Sequence, residues 1–374
     1  MKIDSIDLFD VPLPYSGGTY VLSGGRAYVQ FEASIVRITA DDGTVGWGES
    51  TPFGPTYVAA HAKGATAGIE ELAPLLLGRD PRQVDRITDQ MDASLLGHNH
   101  AKAPLDIACW DLFGKAVGMP VCELLGGSFA VPLPYMSSIH IGDPEEMRAR
   151  VAAHRQRGYR GHSIKIGAVD GRVEPELDAE RIRASLADRL PGEFFLVDAN
   201  TGLSPEEALR IFALLPDGLD FVLESPCATW RETASLRNRC SYPIILDELA
   251  VDASDLVDTI RDDIADGIGL KVTPAGGLTP GRRQRDIAVA AGLTLSVQDT
   301  VGSDLAFAAI THLGATVPPR LLRCILKTPD MVTQRTGDFP AIEAGGGILP
   351  PELPGLGIDM DESVLGEPIG TWAR

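Results

Sequence analysis

Six ionisable residues occupy the same place in six apolar runs. They are Lys165 in HSIKIG, Asp198 in FFLVDAN, Glu224 in FVLESP, Asp247 in PIILDE, Lys271 in GIGLKV and Asp299 in LTLSVQD. Each lies near the C-terminal end of its run, and the runs recur about 20 to 30 residues apart. A lone buried charge is costly unless it is paired or metal-bound, so this regularity points to chemistry rather than packing. The order along the chain is lysine, three acids, lysine, acid. Carboxylates offer only oxygen, a donor set that suits a hard divalent cation such as Mg²⁺. A proton on a carbon beside a carboxylate is hardly acidic, because its removal makes a dianionic enediolate. A cation on the carboxylate oxygens stabilises that charge as it develops. A lysine must be neutral to take the proton. Burial, the cation and a second lysine are expected to bring it down from about 10.4.

Residues 128–335 supply elements that could position these side chains. Besides the six runs, LPYMSSIHI (133–141) opens the series and RLLRCIL (320–326) closes it. Amphipathic segments such as PEEMRARVAAHRQRG and PEEALRIFALLPDG fill the gaps. Eight such βα units imply a (β/α)8-type barrel, whose active-site face lies at the C-terminal ends of its strands. In a closed barrel the second and sixth strands stand opposite one another, so Lys165 and Lys271 would face each other across whatever the acids hold. An open doubly wound sheet would normally show a Gly-rich phosphate turn after an early strand, and none is present.

The remaining chain divides around this barrel. Residues 1 to about 60 read as strands interrupted by loops at 15–25 and 51–57, and residues 58–126 read as helical. The expected architecture is therefore α/β, with an α+β capping domain over 1–127, a barrel over 128–335 and a segment over 336–374 that packs back on the capping domain. A net charge of −19 excludes a general nucleic-acid or anionic-membrane surface, which needs clustered Lys and Arg. Five cysteines without a C-x-x-C read as small core residues in a reducing compartment. The acidic start MKIDSIDLFD is no secretion signal. No apolar run approaches the roughly 20 residues of a membrane helix. A cytoplasmic protein is expected, with no nucleic-acid or membrane partner.

With VDAN, LESP, LDE and GLKVTPAGG in this order, behind the helix CWDLFGKAVGMPVCELLGG, the chain resembles the enolase superfamily in its mandelate racemase/muconate lactonizing branch. The likeness covers nearly the whole chain. It implies that Asp198, Glu224 and Asp247 are ligands of Mg²⁺, that Lys165 and Lys271 are the acid/base pair, and that 15–25 and 51–57 form a lid. Tyr20, Phe53 and Tyr57 are lid residues that could touch substrate. Many relatives carry K-x-K on the second strand, where this chain has Ser163-Ile164-Lys165. Ser163 points the same way as Lys165 and replaces a helper cation. Asn200 and Glu248 stand beside the ligands with supporting roles.

LESPCATWRETASLRNR, GGLTPGRRQRDIAVAAG, SVQDTVGSDLAFAAI and LRCIL narrow the resemblance to a group that dehydrates cis-3-hydroxy-L-proline or epimerises proline betaines. The implied substrate is a cyclic amino acid or derivative with a free carboxylate, and a homo-oligomer is expected. Asp299 is a fitting counter-ion for a protonated ring nitrogen, whereas a quaternary nitrogen prefers an aromatic cage. The favoured activity is dehydration to Δ1-pyrroline-2-carboxylate. A 2-epimerase or racemase is the alternative, and a non-catalytic ligand-binding barrel is the alternative of another class.

Other features fit the scaffold. His98 and His100 in GHNH read as a solvated turn, and His162 as a satisfied buried histidine facing away from Lys165. His140 either lines the pocket or packs beside it. The arginines of GGLTPGRRQR read as a helix surface, Trp230 as packing, and Cys227 as a thiol without an activating histidine.

Overall fold

The computed structural model of the chain describes residues 1–169, 171–344 and 347–374. Strand Ile3–Pro14 carries Ile6, Leu8, Val11 and Leu13, all fully buried, and is the spine of an antiparallel sheet. The sheet order is Gly370–Ala373, Ile3–Pro14, Gln30–Ala40, Val45–Ser50. Helices Ala62–Leu76, Val84–Ser94 and Asn99–Val117 follow it. Helix Asn99–Val117 lies almost against the backbone of strand Val45–Ser50. A Cβ at Gly48 would stand 2.0 Å from the Pro104 carbonyl oxygen, and one at Gly46 would stand 2.4 Å from that of Ala108. Only glycine permits this approach.

Eight parallel strands then form the barrel: Leu133–Ile139, Gly161–Lys165, Phe194–Asp198, Val222–Glu224, Ile244–Leu246, Gly267–Lys271, Thr294–Gln298 and Leu322–Leu326. The eighth closes on the first through Ile325↔Tyr135 and Leu326↔Met136. Local chemistry starts the intervening helices. Ser204 and Glu207 form a capping box behind Pro205, Asp252 and Asp255 form another, and Asp143 caps the helix that begins with Pro144.

Two barrel helices are capped instead from the N-terminal unit. Glu49 accepts from the amides of Ser303 at 2.9 Å and Ala306 at 3.4 Å, at the start of helix Asp304–Gly314. Asp106 accepts from Thr279 N at 2.9 Å, at the start of helix Leu278–Ala291. These carboxylates fix the capping domain to the barrel through otherwise orphaned helical N–H groups.

One expectation about these segments is corrected and another is extended. Residues 15–25 are not wholly loop, because Tyr20–Leu22 pairs with Arg26–Tyr28 as a short hairpin turned by Gly24 and Gly25 at positive φ. The C-terminal segment serves both units. Its last strand joins the capping sheet at Ser5↔Ala373, while Gly347–Leu349 pairs with the first barrel strand at Ile348↔Leu133. Of the cysteines, Cys240 alone is partly exposed and the other four are buried. Among the described residues, no helix is long and apolar enough to cross a membrane.

The contact at Gly48 is backbone against backbone, so neither side can yield by a rotamer change. Gly48→Ala should destabilise the chain by about 2–3 kcal/mol, read as a lower urea midpoint. An unchanged midpoint would show that the sheet and helix separate without penalty.

Candidate active site

Strand register aligns the charged residues. Lys165, Asp198 and Glu224 are direct partners across the second, third and fourth strands, so their side chains project to one face. Asp247 directly follows the fifth strand, Lys271 ends the sixth and Asp299 directly follows the seventh. All six are buried, and even Lys165 and Lys271 are only 9% exposed.

The outer acids are each engaged by a lysine. Lys165 Nζ donates to Asp198 Oδ2 in a short contact. Lys271 Nζ donates to Asp247 Oδ2 and to the Tyr57 hydroxyl, both at 2.5 Å. The Tyr57 hydroxyl in turn donates to Asp247 Oδ2 at 3.2 Å. Glu224, between them, accepts from Gln298 Nε2 at 3.2 Å. The Asn200 amide bridges Asp198 Oδ2 at 3.0 Å and Glu248 Oε1 at 3.2 Å. Sequence reasoning missed Gln298. It ends the seventh strand immediately before Asp299, and a neutral side chain beside a charged one gave no signal of its own.

The electrostatics follow from crowding. Burial pushes the Glu224 carboxyl well above its ordinary range, and the charges of Asp198 and Asp247 push it further. Glu248 is raised to about 7, by burial first and then by Asp247 and Asp198. Burial alone would lower the lysines. For Lys165 the charges of Asp198, Tyr20 and Glu224 outweigh it, and for Lys271 those of Asp247 and Glu248 do, so both end above the ordinary lysine range. Direct carboxylate contact thus opposes the lowering that burial brings, and a cation on Asp198 and Asp247 would compete with the lysines for those oxygens.

Among the described residues, no group of three or more His, Cys, Asp or Glu side chains stands as a ready-made metal cage. The chemistry of the donors nevertheless fits a hard cation. Asp198, Glu224, Asp247 and Glu248 outnumber the two lysines facing them. Asn200 Oδ1 and Glu248 Oε2 are buried acceptors without a partner, and an acceptor in that position calls for a donor or a cation.

Tyr20, Phe53, Tyr57, Ser163, Lys165, Lys271, Asp247 and Asp299 line one chamber of about 30 Å³. Tyr20 is tied to Ser138 by a short hydroxyl contact and packs edge-on against Phe53, which packs against Tyr57. Ser163 Oγ is buried and unpartnered. Asp299 accepts from Thr273 N at 3.0 Å, Thr273 Oγ1 at 2.5 Å and Thr300 N at 2.7 Å. Even so, burial raises its carboxyl to about 7. Beyond Tyr57 a cavity of about 450 Å³ reaches the rim, and Tyr57, Asp247 and Lys271 line both spaces. The inner chamber has room for little more than a water molecule, so a ring the size of proline would fit only if lining side chains moved.

The remaining expectations meet mixed outcomes. His98 is exposed, but His100 is not part of a solvated turn. Helix Asn99–Val117 has already begun there, and it buries His100 with Nδ1 2.9 Å from Ser50 Oγ. His162 is buried and bonded to Ser137 at 2.9 Å, although its Nε2 has no hydrogen-bond partner. His140 packs behind Tyr20 and meets the Tyr15 hydroxyl at 3.2 Å. Trp230 packs on the core and donates to Asp262 at 2.9 Å. Arg282 and Arg283 pair with Asp85 at the surface, whereas Arg285 is buried against the Leu125 carbonyl and Thr316. Burial raises the Cys227 thiol to about 12, which leaves it inert.

Residues 26–126 match the family model of the mandelate racemase/muconate lactonizing enzyme N-terminal domain, and residues 146–364 match that of the enolase C-terminal domain-like group. The chain is 36% identical over 373 residues to a cis-3-hydroxy-L-proline dehydratase of Roseibium aggregatum, with 100% of both proteins covered. It is 29% identical to an N-succinyl-L-Arg/Lys racemase of Bacillus cereus, with 98% of each covered. A protein of Roseovarius nubinhibens ISM, described as of the mandelate racemase/muconate lactonizing type and crystallised with magnesium, superposes with a TM-score of 0.98. It is 55% identical, with 100% of both chains covered.

Asp299 makes a pH-dependent contribution to stability. Its folded pKa of about 7 lies above its ordinary 3.8, so the protonated form favours the fold. That contribution is complete below about pH 4 and is lost as pH rises through 7. Asp299→Asn should therefore gain stability relative to the parent by about 2–4 kcal/mol between pH 4 and 7, with no further change above. Urea unfolding of both chains across that range reads the slope, and parallel curves would show that the carboxyl is not raised.

Proposed function

Because the chain belongs to the enolase superfamily, in its mandelate racemase/muconate lactonizing branch, we propose that this enzyme is a Mg²⁺-dependent dehydratase of cis-3-hydroxy-L-proline. The observation that carries the reading is the pair of buried lysines on opposite strands of one closed barrel, both lining the chamber that Asp299 also lines. The 36% identity to a dehydratase of that substrate adds support.

Stereochemistry links the lysine pair to the substrate. In the cis isomer the 3-hydroxyl lies on the carboxylate's face of the ring, so the α-proton lies on the opposite face. Anti elimination then needs a base on one face and an acid on the other. One lysine takes the α-proton, the C–H electron pair becomes the C2–C3 double bond, and the C3–O bond breaks. The opposed lysine gives its proton to the departing hydroxyl, which leaves as water. The resulting enamine tautomerises to Δ1-pyrroline-2-carboxylate. Asp198, Glu224 and Asp247 would hold Mg²⁺, which supplies charge to the substrate carboxylate as its second negative charge develops. Asn200 orients Asp198 and Glu248. Asp299 faces the protonated ring nitrogen, while Tyr20, Phe53 and Tyr57 shut out water.

A second reading is a 2-epimerase of proline betaines. It draws on those same three aromatic rings, because a quaternary nitrogen is attracted to aromatic faces.

Incubating proline derivatives with enzyme and Mg²⁺ in D₂O, followed by proton NMR, tests both readings. cis-3-Hydroxy-L-proline should be consumed, giving an imine that an aminobenzaldehyde-type reagent traps. Exchange with inversion of a betaine, without imine, would install the epimerase instead. Lys165→Ala and Lys271→Ala should each lower turnover by about 10³-fold, and full activity in either would remove the two-lysine scheme. Asp299→Asn should weaken substrate binding by about 1–3 kcal/mol, read by calorimetry. Unchanged affinity would take Asp299 away from the nitrogen.

A further inference from the structure

Arg26 stands where three separate segments meet. Its Nε donates to the Ser23 carbonyl at 2.6 Å, within its own lid hairpin. Its Nη1 donates to the Thr56 carbonyl at 3.2 Å, in the second lid loop, and its Nη2 donates to the Asn200 carbonyl at 3.0 Å, on the barrel loop after the third strand. The guanidinium carbon lies 5.8 Å from the centre of the Tyr57 ring, within cation–π range. A planar fork reaches three carbonyls on separate segments from spread nitrogens, whereas a lysine's three donors all radiate from one atom.

The surroundings allow the lid to seat closely. Gly24 N donates to the Ala168 carbonyl at 2.7 Å. Ser23 is fully buried, and a Cβ at Gly202 would lie 1.8 Å from its Oγ. The loop after the third strand receives the lid only because residue 202 has no side chain.

Asn200 and Thr201 both adopt positive φ, at 44° and 64°. Residues other than glycine adopt this region reluctantly, so the surrounding contacts must hold it. Those contacts are Arg26 on the Asn200 carbonyl, the Thr201 amide on the Ser225 carbonyl at 2.7 Å, and the Asn200 amide N–H on Asp198 Oδ1 at 2.8 Å. The side chain of the same Asn200 spans Asp198 and Glu248. Without those contacts Asn200 would leave its positive φ, and that change swings its Cβ, and with it the bridge, away from the acids.

We propose that Arg26 is a positioning residue that couples closure of both lid loops to the orientation of Asp198 and Glu248, through Asn200. Closing the lid over substrate brings Arg26 onto the Asn200 carbonyl and fixes the carboxylates, and opening it releases them. The coupling rests on the assignment of those acids to the cation site, but its test does not depend on the substrate's identity.

Three measurements on Arg26→Ala and Arg26→Lys test the coupling. Limited proteolysis within 15–28 should quicken about tenfold. Mg²⁺ affinity by calorimetry on the substrate-free protein should weaken about tenfold, the lower end for a residue supporting metal ligands. Turnover should fall more than substrate affinity does. Methylguanidinium added to Arg26→Ala should restore protection and Mg²⁺ affinity together, which a merely structural role would not produce. Arg26→Lys keeps the charge without the fork and should behave like Arg26→Ala, so it decides the matter if the alanine variant does not fold. Faster proteolysis with parental Mg²⁺ affinity would overturn the coupling, and so would parental behaviour in all three measurements. Failure of every proline derivative to react would overturn the dehydratase reading alone.

Discussion

Asp198, Glu224 and Asp247 are brought together at the ends of adjacent strands, in a space almost closed to solvent. Like charges at that separation in a low dielectric repel strongly, and the raised Glu224 carboxyl is the direct sign of it. Neighbouring features of the site answer this repulsion. The two lysines sit against the outer acids, Gln298 donates to the middle one, and Asn200 spans the pair that has no lysine between them. A site assembled this way is an unstable balance of charge. It can trade one set of positive partners for another, as catalysis by a mobile proton requires.

Such a balance needs rigid support. The six charged side chains stand at or directly after strand ends, where hydrogen bonds to both neighbouring strands fix the backbone. The capping domain is held to the same framework by Glu49 and Asp106 at the starts of two barrel helices. Thr300 adds to this, since its hydroxyl donates to the Thr51 carbonyl at 2.6 Å while its amide holds Asp299. The capping domain and Asp299 are therefore one mechanical unit. The two lid segments differ in kind. One is a short hairpin seated on loops made narrow by glycine, and the other is a bend that presents Phe53 and Tyr57.

The barrel was legible because its signal repeats. Apolar runs such as FFLVD and GIGLK, each ending in a charge, follow from strand burial and from the position of the active face, and the register then brings their ends together. The lysines' direct partners were not legible. Sequence gives the residues that bury or neutralise a charge, but not which carboxylate oxygen each ammonium will touch. His100 was misjudged for a related reason. GHNH is polar in composition, and only the point where helix Asn99–Val117 begins decides that its second histidine turns inward. Gln298, Thr273 and Arg26 left no trace in charge pattern or periodicity, because each works by donating to particular oxygens that only the fold brings near.

In the proposed function, discrimination between a secondary amine and a quaternary one falls to Asp299. Its Oδ1 is crowded by Thr273 and Thr300, whereas its Oδ2 receives only the Thr273 amide. An oxygen with one donor keeps a lone pair for another, and a protonated ring nitrogen can supply that donor while a betaine cannot. With the carboxyl raised to about 7, an arriving cation also shifts it towards the ionised form, so ligand charge and carboxylate charge appear together. The aromatic rings opposite favour any cation, but this oxygen favours only one that carries a hydrogen. In the proposed reaction the chamber reads the N–H bond at Asp299 and the ring's two faces at the lysines, and these two features together would distinguish cis-3-hydroxy-L-proline from a betaine.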